Sequence, residues 1–323
     1  MVNIVISALL RLLAQGLHIA LMLAVAPLLV GLIRLVKARL LGRRGPPLVQ
    51  PWRDLLRLMR KQPVLADNAS IVFCAAPAVS LAAIVVAAAL VPSFALGMTL
   101  GPVSDLLVIA GLLALARCAT ALAGMDVGTA FGGIGASRDM TFSVYAEPAL
   151  LLVIFTLAML AGSTNLDLIA AVLRDGALGL RVSLGLVLVA ILTVAVAENG
   201  RIPVDNPATH LELTMVHEAM TLEYSGRNLA MVEAGKALKL LVWLSLIGTI
   251  FCPFGTAMAD NPLFWPLGLL LWVAKISFLA VALAVFESVV AKMRVFRVPE
   301  FLGVALLFGL LAAVLLFVST GMT

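Results

Sequence analysis

Asn68 to Ser104 reads NASIVFCAAPAVSLAAIVVAAALVPSFALGMTLGPVS, 37 residues without one charged side chain. A helix needs about 20 apolar residues to cross roughly 30 Å of hydrocarbon. The stretch therefore holds one complete span, a turn and the start of a second. Pro92 and the run from Gly97 to Pro102 mark that turn. A membrane β-strand would alternate over about ten residues, and these apolar runs are continuous, so the spans are helices. Carried outward, the same reading predicts an all-α polytopic membrane protein. About eight transmembrane helices fall near residues 5–34, 69–91, 103–124, 142–162, 178–198, 228–252, 264–288 and 300–320. Residues 1–323 read as a single integral membrane domain, and no internal repeat is evident.

Composition agrees. The chain is 63% hydrophobic and 12% charged, against about 25% charged in soluble domains. That excludes a disordered chain and an ordinary soluble enzyme. The net charge of +5 does not imply nucleic acid, because cytoplasmic loops of membrane proteins collect Lys and Arg. The expected surroundings are a lipid bilayer and no nucleic acid. Cys74, Cys118 and Cys252 form no CxxC pair, so no disulfide framework, zinc site or iron–sulfur ligand set follows. The 22-residue run Leu12 to Ile33 is longer than the core of a cleaved signal peptide.

Loop charge sets an expected orientation. Nine basic residues lie between Arg34 and Asn68, and seven more lie in loops on the same side. With that side cytoplasmic, both termini face outward. Within the first loop, residues 50–61 predict a short amphipathic helix. Leu55, Leu56, Leu58 and Met59 supply apolar surface, and Arg53, Arg57, Arg60 and Lys61 supply charge. It reads either as a helix bound to lipid headgroups or as one that also docks a peripheral partner.

Charge is otherwise concentrated between two late spans. The acidic cytoplasmic loop near 199–227 follows Glu198 and contains Arg201, Asp205, His210, Glu212, His217, Glu218, Glu223 and Tyr224. Apolar residues such as Leu211, Met215 and Met220 interleave with the acids, which predicts a segment folded against the membrane domain. His217-Glu218 starts like HExxH but lacks the second histidine, so no metal site is expected. The glycines at 128, 132, 133 and 135 read as a short loop beside a span. Inside the spans lie Arg117, Glu147, Glu233, Lys236, Lys239 and Lys275. A charged group at the bilayer centre costs about 2.5–3.5 kcal/mol on insertion scales and marks ion or proton pathways. Glu233 and Lys236 are spaced to pair across one helical turn, Lys239 extends the same face, and Lys275 lies mid-span. A proton relay and purely structural ion pairing both remain open.

Several of these runs together resemble the complex I subunit 1 family. They are Ala197-Glu198-Asn199-Gly200-Arg201-Ile202-Pro203-Val204-Asp205, then Glu212, then Glu223-Tyr224-Ser225-Gly226. Arg39-Leu40-Leu41-Gly42-Arg43-Arg44-Gly45-Pro46, Gln50-Pro51-Trp52-Arg53-Asp54-Leu55 and Gly124-Met125-Asp126-Val127-Gly128 are similar to the branch of formate hydrogenlyase subunit 4 and hydrogenase-4 component C. Gly135-Ala136-Ser137-Arg138-Asp139, Glu147-Pro148 and Lys239 fit the same branch.

The resemblance implies a non-catalytic subunit of an oxidoreductase complex in the cytoplasmic (inner) membrane of a prokaryote. It would anchor a peripheral redox arm and couple electron transfer to translocation of protons or Na+. The implied partners are a [NiFe]-hydrogenase-like large subunit, an iron–sulfur small subunit and antiporter-like membrane subunits. The [NiFe] centre and the iron–sulfur clusters would sit on those partners, with no cofactor held by this chain. Glu147, Glu198, Asp205, Glu212, Glu223, Glu233, Lys236, Lys239 and Lys275 are the expected proton-transfer residues. Arg43, Arg44, Arg53, Arg138 and Arg201 are the expected docking residues. The family's usual acidic cluster after the aspartate is replaced here by Asn206-Pro207-Ala208-Thr209-His210, so His210 and His217 are candidate proton carriers in place of carboxylates. The alternative role is that of a chamber admitting a quinone headgroup.

Overall fold

The computed structural model describes residues 2–174, 182–205 and 215–321. Among them run α1 (Val2–Leu40), α2 (Gln50–Met59), α3 (Ile71–Leu90), α4 (Leu106–Asp126), α5 (Ala130–Ala161), α6 (Leu166–Arg174), α7 (Val182–Glu198), α8 (His217–Thr221), α9 (Gly226–Phe251), α10 (Trp265–Val289) and α11 (Val298–Gly321). Seven helices are long and apolar enough to cross a membrane: α1, α3, α4, α5, α9, α10 and α11. The remaining expected span, 178–198, corresponds to α7, a shorter apolar helix of 17 residues. Helices prevail because lipid offers no partner to a backbone N–H or C=O, so each span must satisfy its own. Beyond the all-α expectation, β1 (Ala95–Leu96) and β2 (Ala257–Met258) pair in parallel at the end of the bundle opposite the basic loop.

The bundle is built around α9. In its most apolar window 78% of residues are buried, against 22–44% for the other six long spans. It packs on α1, α2, α3, α7 and α10, while α11 closes against α5 and α7. The helix carrying Glu233, Lys236 and Lys239 is thus the one most shielded from lipid.

Where α3 ends inside the protein, its unpaired carbonyls are met one by one. His18 Nε2 donates to Ala88 O (2.9 Å), Gln15 Nε2 to Ala89 O (2.9 Å) and Ser104 Oγ to Leu90 O (2.6 Å). Thr249 Oγ1 donates to Pro92 O just beyond (3.0 Å). A carbonyl only accepts, so His18 carries its proton on Nε2 and Nδ1 accepts from the Ser93 hydroxyl, 2.6 Å away. These caps satisfy the C-terminal carbonyls that a buried helix end leaves open.

Gly132, Gly133 and Gly135 are not a loop but the first turns of α5, which starts 12 residues before the expected span. Thr129 caps the helix by accepting from Gly132 N (3.2 Å). The glycines serve close packing, since a Cβ at Gly132 would stand 2.1 Å from Gly124 O of α4, and one at Gly135 would stand 2.8 Å from Val216 O. The helical glycines let two backbones approach where any side chain would part them.

Candidate functional site

The end of the bundle bearing the basic loop encloses a cavity of about 650 Å3. Its walls are α1, α2, α3, α4, α8, α9 and the turn after α7. The amphipathic helix α2 turns its apolar side inward. Pro51, Leu55 and Leu58 line the cavity, and Trp52 Nε1 donates to Ala24 O of α1 (3.0 Å). Arg53, Leu56, Arg57, Met59 and Arg60 are left exposed. The helix is therefore a wall of the chamber, with Pro51, Leu55 and Leu58 turned to the protein and Leu56 and Met59 left on its outer side.

Charged side chains from five helices converge on this chamber. Arg117, near the middle of α4, pairs at once with Glu147 of α5 and Glu198 at the end of α7. Lys239 of α9 reaches the other oxygen of Glu198 (2.9 Å) and also its backbone carbonyl (2.7 Å). One turn earlier, Lys236 bridges Glu233 (3.0 Å) and Glu218 of α8 (3.1 Å). The expected Glu233–Lys236 pair is present, and Lys239 does extend the same face inward. An ion inside a low-dielectric bundle is tolerated only when paired and hydrogen-bonded, and each member of this chain meets that condition. Glu147 differs from the rest, with 51% of its side chain exposed on the outside of the bundle.

A second group ties the turn after α7 to its neighbours. Glu287 of α10 is buried between Lys37 of α1 and Arg201, whose guanidinium lies 3.6 Å away. Burial pulls the Arg201 guanidinium below its ordinary pKa, and Glu287 opposes that pull. Asp205 is buried too. It pairs with Lys292 (3.3 Å) and accepts from Val216 N (3.2 Å), which joins the two ends of the 206–214 segment.

The Glu223-Tyr224-Ser225-Gly226 run is a latch. Pro77 in α3 lacks the N–H that would bond Phe73 O, and the Tyr224 hydroxyl donates to that carbonyl instead (3.0 Å). The Tyr224 ring stacks on Phe73, with centroids 4.2 Å apart. Burial, then the charges of Cys74 and Asp126, push the Tyr224 hydroxyl above its ordinary pKa, so it remains a donor at neutral pH. Ser225 Oγ accepts from Val64 N (2.7 Å), and Gly226 lies against the Gln62 backbone. Tyr224→Phe should cost about 1–3 kcal/mol, the penalty for a buried carbonyl left unpaired. In a Pro77→Ala background, where the helix supplies its own donor, denaturant titration should show the cost shrinking.

Not every expected site residue reaches the chamber. Glu147, Glu198, Asp205, His217, Glu233, Lys236, Lys239 and Arg201 line it or join its ion pairs. Glu223 does not line it. Lys275 lies on α10 away from it and donates to the carbonyls of Cys252 (2.6 Å) and Phe254, at the end of α9. There it caps a helix whose terminus lies at the depth of the α10 span. Arg138 donates to Met215 O (2.9 Å), so it braces the chain inside this subunit. Arg43, Arg44 and Arg53 are exposed. His210 and Glu212 lie outside the described residues. Sequence reading missed Arg117, Asp139, Glu218, Glu287 and Lys37 as site groups. The signal for Arg117 was present, as a lone arginine within an apolar span. Among the described residues no cluster of His, Cys, Asp or Glu could hold a metal ion.

Comparison with known proteins agrees with this architecture. A family model described as NADH dehydrogenase matches residues 13–318. The chain is 34% identical to formate hydrogenlyase subunit 4 of Escherichia coli over 86% of its own length and 89% of that protein. It is 34% identical to hydrogenase-4 component C of the same organism, over 84% and 85%. An NADH-quinone oxidoreductase subunit of Rickettsia bellii is 26% identical over 68% and 67%. Among solved structures, a chain of the membrane-bound sulfane sulfur reductase, an archaeal respiratory membrane complex, superposes with a TM-score of 0.77. That match covers 94% of this chain and 98% of the other at 21% identity, a likeness of fold. The chain thus belongs to the NADH dehydrogenase family, that of complex I subunit 1.

Proposed function

We propose that this chain is the membrane subunit of a hydrogenase-type respiratory complex in a prokaryotic cytoplasmic membrane, where it seats a peripheral redox arm and couples electron transfer to ion movement. The observation that carries the reading is the ion-pair chain from Glu147 through Arg117 and Glu198 to Lys239, beside a chamber that also receives Lys236, Glu218 and Glu233. Buried carboxylates and lysines with alternative partners exchange protons when a nearby charge changes, and electron transfer in an adjoining subunit supplies such a change. The basic loop end is the cytoplasmic one by its Lys and Arg content, which leaves both termini outside. Exposed Arg43, Arg44 and Arg53 at that end are available to an acidic partner. The arm would bring the [NiFe] and iron–sulfur groups, and antiporter-like subunits would continue the ion path.

Purification in mild detergent followed by mass spectrometry tests this assignment. Co-purifying [NiFe]-hydrogenase-like and iron–sulfur subunits are expected. Isolation as a lone, transport-competent protein would overturn it. A second reading rests on the chamber itself, whose volume and apolar α2 wall would accept a quinone headgroup. Quinone retained by the purified complex, with quinone-dependent turnover, would favour that reading.

A further inference from the structure

Two adjacent residues of α5 grip the chain at the start of α8. Arg138 holds Met215 O (2.9 Å), and the carboxylate of Asp139 lies 3.2 Å from His217 Nε2. Asp139 is almost fully buried, and its second oxygen has no hydrogen-bond partner among the described residues. His217 Nδ1 is also buried without a partner there. It faces the turn after α7, where a Cβ built on Gly200 would stand 2.9 Å from it. His217 lines the chamber and is within electrostatic reach of Glu198, as Asp139 is of Arg117.

At 3.2 Å the Asp139 carboxylate attracts a proton on the ring nitrogen that faces it, which favours the His217 tautomer protonated at Nε2. Nδ1 is then the bare, basic nitrogen, and it faces Gly200 in the turn that follows Glu198. We propose that Asp139 is a positioning residue that fixes His217 in this tautomer, and that His217 exchanges protons with the charged chain through Nδ1. A proton arriving at Nδ1 forms an imidazolium paired with Asp139, and leaves by the same nitrogen, so the dyad returns unchanged. The carboxylate acts on ring orientation and tautomer, as partners of catalytic and metal-bound imidazoles do. Anchoring alone does not account for Asp139, because Arg138 already braces this segment.

The inference rests on the coupling role proposed above, and its test is read in two separate ways. The full chain holds three histidines, so 15N-histidine labelling in lipid nanodiscs gives a spectrum in which His217 is assigned by its loss in His217→Gln. The wild type should show Nε2 protonated and Nδ1 bare. Asp139→Asn should shift population to the Nδ1-protonated form, and Asp139→Glu should restore the wild-type pattern. In the assembled complex, ions moved per electron should fall roughly a hundredfold in Asp139→Asn and in His217→Gln, the low end of what a positioned proton carrier contributes. The double variant should be no worse than His217→Gln alone. A protonated Nδ1 in the wild type, or an Asp139→Asn protein with unchanged tautomer and coupling, would overturn the proposal. A wild-type complex without coupled ion movement refutes the transport role of both the subunit and the dyad, while the tautomer result still decides what Asp139 does to His217.

Discussion

Replacing Arg117 with Met is expected to destabilise the protein by about 3–5 kcal/mol, the usual cost of removing one partner from a buried ion pair. The effect falls mainly on Glu198. That carboxylate is buried and would retain only Lys239, whereas Glu147 is half-exposed and contributes little through its pair. Glu198→Gln in the Arg117→Met background should therefore recover most of the loss, while Glu147→Gln should recover little. Arg117→Lys should be intermediate, because an ammonium cannot reproduce the guanidinium's two-sided fork. Unfolding midpoints of the purified full chain, measured in a detergent or denaturant series, check this order. An Arg117→Met protein as stable as the wild type would show that the three-way pairing is not what holds α4, α5 and α7 together.

Gly226→Ala should be nearly as damaging, at roughly 2–5 kcal/mol from the combined costs of a left-handed backbone and an overpacked contact. Gly226 has a φ of +53°, and an added Cβ would stand 2.5 Å from Gln62 O and 2.6 Å from Gln62 C. Neither group is a flexible side chain that could swing aside. The strap after α2 would have to lift away from the start of α9, taking the Ser225–Val64 hydrogen bonds with it. Gly111→Ala is the control, because an added methyl there meets nothing within 4 Å. Protease accessibility near Gln62 should rise in Gly226→Ala and stay unchanged in Gly111→Ala.

The spans were legible because hydrocarbon thickness imposes a length and lipid imposes helices, and both constraints act on local sequence. The Glu233–Lys236 pair was legible for the same reason, since three residues on one helix are neighbours whatever the fold. Arg117 meets Glu198 across 81 positions of chain, and no local rule says which helix faces will meet. The start of α5 was misread because glycines normally break helices, whereas here Gly132 and Gly135 stand where neighbouring backbone leaves no room for a Cβ. Lys275 stood out because a mid-span lysine needs an acceptor. The structure supplies one in the carbonyls ending α9, and sequence alone does not place that helix end at the depth of Lys275. The apolar side of α2 was plain in sequence, but lipid and a cavity select the same residues. His217 stood out by chemistry, and Asp139 did not, because an acid in a short polar run looks solvated until its burial is known.

Coupling itself is tested most directly by reconstituting the purified complex in liposomes, driving electrons through it from reduced methyl viologen, and following internal pH and Na+ together. The wild-type complex should build a gradient of one of these ions in step with electron flow, and Lys239→Met should pass electrons without building it. A gradient of full size in Lys239→Met, or electron flow without any gradient in the wild type, would contradict the account.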